Sequence, residues 1–134
     1  MAPIRPLVTT GASKNRVDMV FLGDGYLAWE LQSTYTSQIL GFVGYLFDGT
    51  VLTQPFGRYQ SYFNVHAIDV VSASSGADDP HHGIFRDTAL HASYRYDGET
   101  DRLLYLDEAL ARQIETETLS GTRSWEVAKR HQRR

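Results

Sequence analysis

Val17-Asp18-Met19-Val20-Phe21-Leu22-Gly23-Asp24-Gly25-Tyr26 is the stretch on which the fold turns. Its first six residues form an apolar run broken only by Asp18, with Asn15 ahead of it and Gly-Asp-Gly closing it. A run of this length between turn signals reads as a buried strand, and Asp18 must then find a partner or lie at an edge. Downstream, Leu31, Tyr35, Ile39, Phe42, Val43 and Leu46 recur three and four apart, which predicts a helix over about 28–47 with one face on a core. Gly41 and Gly44 each weaken such a helix by about 1 kcal/mol relative to Ala, so a neighbouring element is expected to pack closely there. Asp48-Gly49-Thr50 supplies the stop. Residues 62–71, Tyr-Phe-Asn-Val-His-Ala-Ile-Asp-Val-Val, are the best strand candidate in the chain. Strand, helix and strand in this order predict a crossover unit with its two strands parallel in one sheet.

Working outward, residues 1–14 read as an extension ahead of the first strand, and Gln54-Pro55-Phe56 opens an irregular stretch rich in aromatics. Residues 72–83, Ser-Ala-Ser-Ser-Gly-Ala-Asp-Asp-Pro-His-His-Gly, turn small and polar, the composition of an exposed loop or flap. Residues 89–96 are a further strand candidate closed by Asp97-Gly98, and 103–118 read as a second helix with Leu104, Ala111 and Ile114 near one face. From 120 to 134 no periodicity appears, and Lys129-Arg130-His131-Gln132-Arg133-Arg134 reads as a basic, disordered tail. The expected fold class is α/β (or α+β), with a mixed sheet of about three to four strands and two main helices. The expected division is an extension over 1–14, a domain over 15–119 and a tail over 120–134.

Composition narrows the function classes. With 134 residues, 42% apolar and 22% charged, the chain suits one globular domain and departs from disordered or fibrous compositions. No apolar run approaches the roughly 20 residues of a membrane span, and no signal peptide is visible at the amino end. The absence of cysteine removes disulfides, thiolate metal sites and cysteine nucleophiles. A formal net charge of −3 argues against a nucleic-acid binder, which would show a basic stripe.

Each candidate for chemistry has a bland counterpart. Gly23-Asp24-Gly25-Tyr26 lies between strand and helix, where anions bind, yet neither the dinucleotide nor the P-loop glycine pattern is present, and Asp24 would repel a phosphate. A turn in which Asp24 hydrogen-bonds backbone amides is the favoured reading. Asp78, Asp79, His81 and His82 gather carboxylates and imidazoles on one loop, but adjacent loop histidines rarely aim at one ion, so a solvated loop is favoured. His66, flanked by apolar residues, reads as a satisfied core histidine. Asp87 and His91 suggest an orienter and base, but no serine has a nucleophile-elbow context. Tyr59, Tyr62 and Phe63 suggest a stacking platform, for which core filling is the preferred alternative.

From Asn15 to Tyr26 the chain resembles the start of the catalytic domain of the IgA peptidase family of zinc metallopeptidases, M64. The likeness continues through Pro55-Phe56-Gly57-Arg58-Tyr59, Tyr62 to Val70, Ser72 to Asp79, Asp87-Thr88-Ala89-Leu90 and Arg102-Leu103-Leu104-Tyr105, and covers about Pro6 to Ala109. The resemblance implies the front part of a zincin-like domain, a zinc cofactor and protein or peptide substrates in full-length relatives. Those relatives are often secreted. Such peptidases hold zinc through His-Glu-x-x-His on a helix, the glutamate activating water. None of His66, His81, His82, His91 or His131 is followed by glutamate or has a histidine four positions on. No catalytic, cofactor-binding or metal-ligating residue is therefore carried over to any position. The expectation is a truncated or frameshifted product lacking the zinc helix and inactive alone, ahead of a genuine short relative. The alternative is a non-catalytic α/β module that binds a partner or peptide along a sheet edge.

Overall fold

A computed structural model describes residues 3–95, 98–100 and 103–120. Three strands, β1 (Ile4–Val8), β2 (Val17–Leu22) and β3 (Phe63–Ile68), form one sheet in the order β1-β3-β2. β2 and β3 run parallel, with Val17 opposite Phe63 and Leu22 opposite Ile68, while β1 pairs antiparallel with β3. The crossover unit is therefore present. Its sheet is mixed because β1 joins β3 on the other side, with Ile4 opposite Ile68 and a register shift between Pro6 and Val8. The stretch ahead of residue 15 thus supplies an edge strand, although two prolines obscure its pattern.

The helical segment of the crossover is segmented. A 3-10 turn at Ala28–Glu30 and a π-helical turn at Leu31–Tyr35 lead into α1 (Thr36–Leu46). Leu31, Tyr35, Ile39 and Val43, four apart, are buried and form one core with Val65 and Ala67 of β3. Met19 and Phe21 of β2 and Leu7 and Val8 of β1 pack against them. All three strands thus contribute to one face, on which the helical segment lies. Two polar ties hold it there. The Arg5 guanidinium pairs with the Asp69 carboxylate at 2.5 and 2.8 Å and also donates to the Leu31 carbonyl and Thr36 Oγ1. The Tyr35 hydroxyl reaches the Phe21 and Ile68 carbonyls at 3.0 and 3.1 Å, tying the helical segment to both parallel strands. Burial above all pushes that phenol far above its usual range.

Several expectations need correction. Side chains built at Gly41 and Gly44 would meet nothing within 4 Å, so these glycines lie on an open face of α1 and not under a close neighbour. Phe42, expected on the core face, is half exposed, with its ring edge-on to Phe21 at 5.8 Å. Residues 89–95 form no strand. Ser93 instead makes isolated bridges to Asp78 and Tyr105, because left-handed backbone at His91 and Arg95 interrupts extension on either side of it. The second helix, α2, spans Glu108–Ser120, where Asp107 Oδ1 accepts the Leu110 amide at its start. Tyr59 and Tyr62 are 45% and 56% exposed, so they do not fill the core. They line an apolar groove with Val17, Pro55, Phe56 and Phe63. The basic cluster at 129–134 lies outside the described residues.

Candidate functional site

A parallel pair offers one privileged place for a ligand, the crevice outside the carboxyl ends of its strands. Here β2 ends at Leu22 and β3 at Ile68, and the segments that follow them converge. The convergence is a clamp. Asp24 Oδ1 accepts the Leu90 amide at 2.9 Å and the Ser72 hydroxyl at 3.2 Å, and Oδ2 accepts the Ala92 amide at 2.9 Å. Ser72 Oγ in turn accepts the Gly25 and Ala89 amides at 3.2 and 3.0 Å. Burial alone would raise the Asp24 carboxyl pKa. The surrounding groups outweigh it and hold the carboxyl below its ordinary value: the Thr88 hydroxyl, lying close by without a well-aligned bond, then the amides of Ala92, Leu90 and Gly25.

Gly25 sits at φ +74°, and a Cβ there would fall 2.1 Å from the Gly76 carbonyl oxygen. Its own carbonyl accepts the Gly76 amide at 2.9 Å. Two backbones meet without side chains between them, which is the physical reason for glycine at position 25. The favoured reading of Gly23-Asp24-Gly25 as a structural turn with Asp24 on backbone amides is what the fold contains.

Beside this clamp opens a cleft of about 480 Å³. Asp24 and Glu30 bring carboxylates to its lining, Tyr26, Thr34 and Ser75 hydroxyls, and Leu104 and Leu106 an apolar wall. Glu30 is held at both oxygens, by the Leu27 amide at 2.7 Å and the Ser75 hydroxyl at 3.1 Å. Tyr26 donates to Gln38 Oε1 across the cleft's rim. Burial first, and the Glu30 charge second, push the Tyr26 phenol upward, so it stays a donor at neutral pH. Among these residues the sequence singled out the turn 23–26, the small polar loop that carries Ser75, and Leu104. Glu30 and Gln38 carry no local motif, and they meet Ser75 because the crossover brings distant segments to one end of the sheet.

The remaining candidates fall elsewhere. His66, half-buried, donates from Nε2 to Asp18 Oδ1 at 2.9 Å, and the same oxygen accepts from Ser13 Oγ at 3.1 Å and Asn64 Nδ2 at 3.2 Å. Asp18 thus has both a partner and an edge, since β2 is the last strand of the sheet. On the loop, His82 Nδ1 pairs with Asp79 at 2.7 Å, while His81 Nδ1 accepts from Arg95 at 3.1 Å, so the two imidazoles are spent on different neighbours. Both histidines are exposed. Asp87 and His91 are exposed as well, and the Asp87 carbonyl accepts the Ser74 amide. Among the described residues no group of three or more His, Asp or Glu side chains is placed to hold a metal ion. The described donors therefore do not fit a zinc ion, and no chemical step through zinc is assigned to them.

Fold and cleft together define a mixed α/β domain of the crossover type, with its ligand-accessible end outside the parallel strands. The model of the IgA Peptidase M64 family matches residues 5–120, and the chain belongs to that metallopeptidase family. No curated protein matches it. Among the described residues, no helix is long and apolar enough to cross a membrane.

Proposed function

We propose that this chain is the front portion of an M64-type peptidase domain, whose reaction in full-length relatives is zinc-assisted hydrolysis of a peptide bond in a protein or peptide substrate. The family match from residue 5 to residue 120 carries the reading. The printed sequence contains no His-Glu-x-x-His, so the chain supplies scaffold rather than catalytic groups, and is inactive by itself. Its contribution is positional: the crossover unit, the Arg5–Asp69 tie and the Asp24 clamp fix the parallel strands and the loops beyond them.

The test is direct. The purified chain, supplied with zinc, is incubated with a mixture of quenched fluorescent peptides. No cleavage above the buffer blank is the expected result, and cleavage abolished by a chelator would overturn the assignment of inactivity. Reading the native transcript beyond the codon for Arg134 tests the other half. A His-Glu-x-x-His codon run downstream supports the front-portion reading, and a stop with no such run in any frame sinks it.

The second reading, a non-catalytic binding module, is favoured by one observation. Among the described residues nothing pairs with the outer edge of β2, which leaves a strand edge for a partner's backbone.

A further inference from the structure

The cleft beyond β2 and β3 is one-sided in charge. Among the described residues, Asp24 and Glu30 are the only charged side chains in its lining, and both are carboxylates. Arg86, whose side chain packs on Gly76, lies outside that lining. Asp24 is committed to the loop clamp by three bonds, two at Oδ1 and one at Oδ2. Glu30 is different. Each of its oxygens accepts one bond, from Leu27 or Ser75, and a carboxylate oxygen has room for a second. Tyr26 and Thr34 add hydroxyl oxygens nearby, while Leu104 and Leu106 offer an apolar wall.

The guest that complements this arrangement carries a positive head with several N–H donors and an aliphatic stem. An anion would meet two negative charges, with no lining cation among the described residues to offset them. A purely apolar guest would cover the Glu30 carboxylate and leave its remaining acceptor sites unmet. A metal ion would find no third His, Asp or Glu ligand, since no such group of three occurs among the described residues. We propose that this cleft binds an alkylammonium or alkylguanidinium group, the chemistry of a lysine or arginine side chain, with the charge at Glu30 and the stem along Leu104 and Leu106. The assignment rests on the cleft alone and stands apart from whether the chain belongs to a working peptidase.

The experiment is an amide NMR titration of the full chain with n-butylammonium, n-butylguanidinium and Nα-acetyl-lysine methylamide, with n-butanol as the uncharged control. The cations are expected to perturb the amides of Gly25, Glu30 and Gly76 saturably, and n-butanol is not. Raising the salt weakens the binding, because the attraction is between charges in an open cleft. Gln38→Lys, at an exposed position on α1, places an ammonium at the rim and is expected to weaken binding about tenfold. Glu30→Gln is expected to do the same, with its melting temperature measured alongside; should it fail to fold, Gln38→Lys carries the test. Tighter binding of the lysine derivative than of n-butylammonium assigns the cleft to a peptide side chain, and equal binding assigns it to a free amine. The proposal is overturned by an equal response to n-butanol, by perturbations confined to amides outside the cleft, or by unchanged binding in Gln38→Lys.

Discussion

Two aspartates sit at opposite ends of one strand, Asp18 within β2 and Asp24 just past it, and they are held in opposite ways. Asp18, near the start of β2, meets side chains: the Ser13 hydroxyl, the Asn64 amide and the His66 imidazole all converge on its Oδ1. Asp24, just beyond the end of β2, meets two main-chain amides at Leu90 and Ala92, one on each oxygen, and the Ser72 hydroxyl. The first arrangement stitches adjacent elements through side-chain donors, of which Asn64 keeps a second acceptor at the Gly11 carbonyl. The second ties segments more than 60 residues apart in the chain through backbone donors that, among the described residues, have no other acceptor. A side-chain network tolerates substitution better than a backbone clamp, and that difference is measurable.

The largest effect is expected at Asp24. Replacing it with Ala leaves the Leu90 and Ala92 amides without acceptors, at a cost of about 2–4 kcal/mol in unfolding free energy by urea titration. Hydrogen exchange at those two amides should accelerate more than elsewhere. Asp24→Asn is expected to cost nearly as much, because both carboxylate oxygens accept and the new NH₂ would face a donor. Asp18→Ala comes next, at about 1–2 kcal/mol, since it removes the one acceptor on which Ser13, Asn64 and His66 converge. Asp18→Asn should be milder, under about 1 kcal/mol, because its carbonyl oxygen can keep the place where the three donors converge. Equal costs for the two Asn variants would break the contrast between clamp and network.

Acid sharpens it further. The Asp24 carboxyl is held below its unfolded value, so its contribution is complete above the unfolded value of about pH 4 and is lost as pH falls through the lower folded value. The wild-type chain should therefore lose stability on acidification with a slope that Asp24→Asn reduces; a parallel slope in the variant would remove Asp24 from the acid response. The smallest change expected is a gain. Gly44→Ala on the open face of α1 should stabilise by about 0.5–1 kcal/mol, read as a raised urea midpoint, and a loss would show that something covers that face.

The sequence was most legible where a pattern is local. The run from Val17 to Leu22, the four-residue spacing of Leu31, Tyr35, Ile39 and Val43, and the strand at Phe63–Ile68 announce themselves because burial imposes a period on each. The parallel pairing follows from their order. Asp24 on backbone amides was also legible, since Gly-Asp-Gly after a strand leaves few other roles for the carboxylate. The aromatic stretch misled for a related reason: Tyr59 and Tyr62 have the composition of a core but lie on a kinked 3-10 segment that leaves each about half exposed. Residues 89–95 misled because β-forming side chains carry no mark of the left-handed backbone at His91 and Arg95.

By itself, then, the order of residues determined the crossover, its parallel strands, the turn at Asp24 and the family resemblance, all properties of short segments or their succession. Only the tertiary structure decided that β1 closes the sheet, that α1 leaves Gly41 and Gly44 in the open, and that Glu30, Gln38 and Ser75 share one cleft. Those facts depend on which distant segments meet. Such meetings are set by the summed packing of the whole domain, to which no single stretch of chain contributes a readable sign.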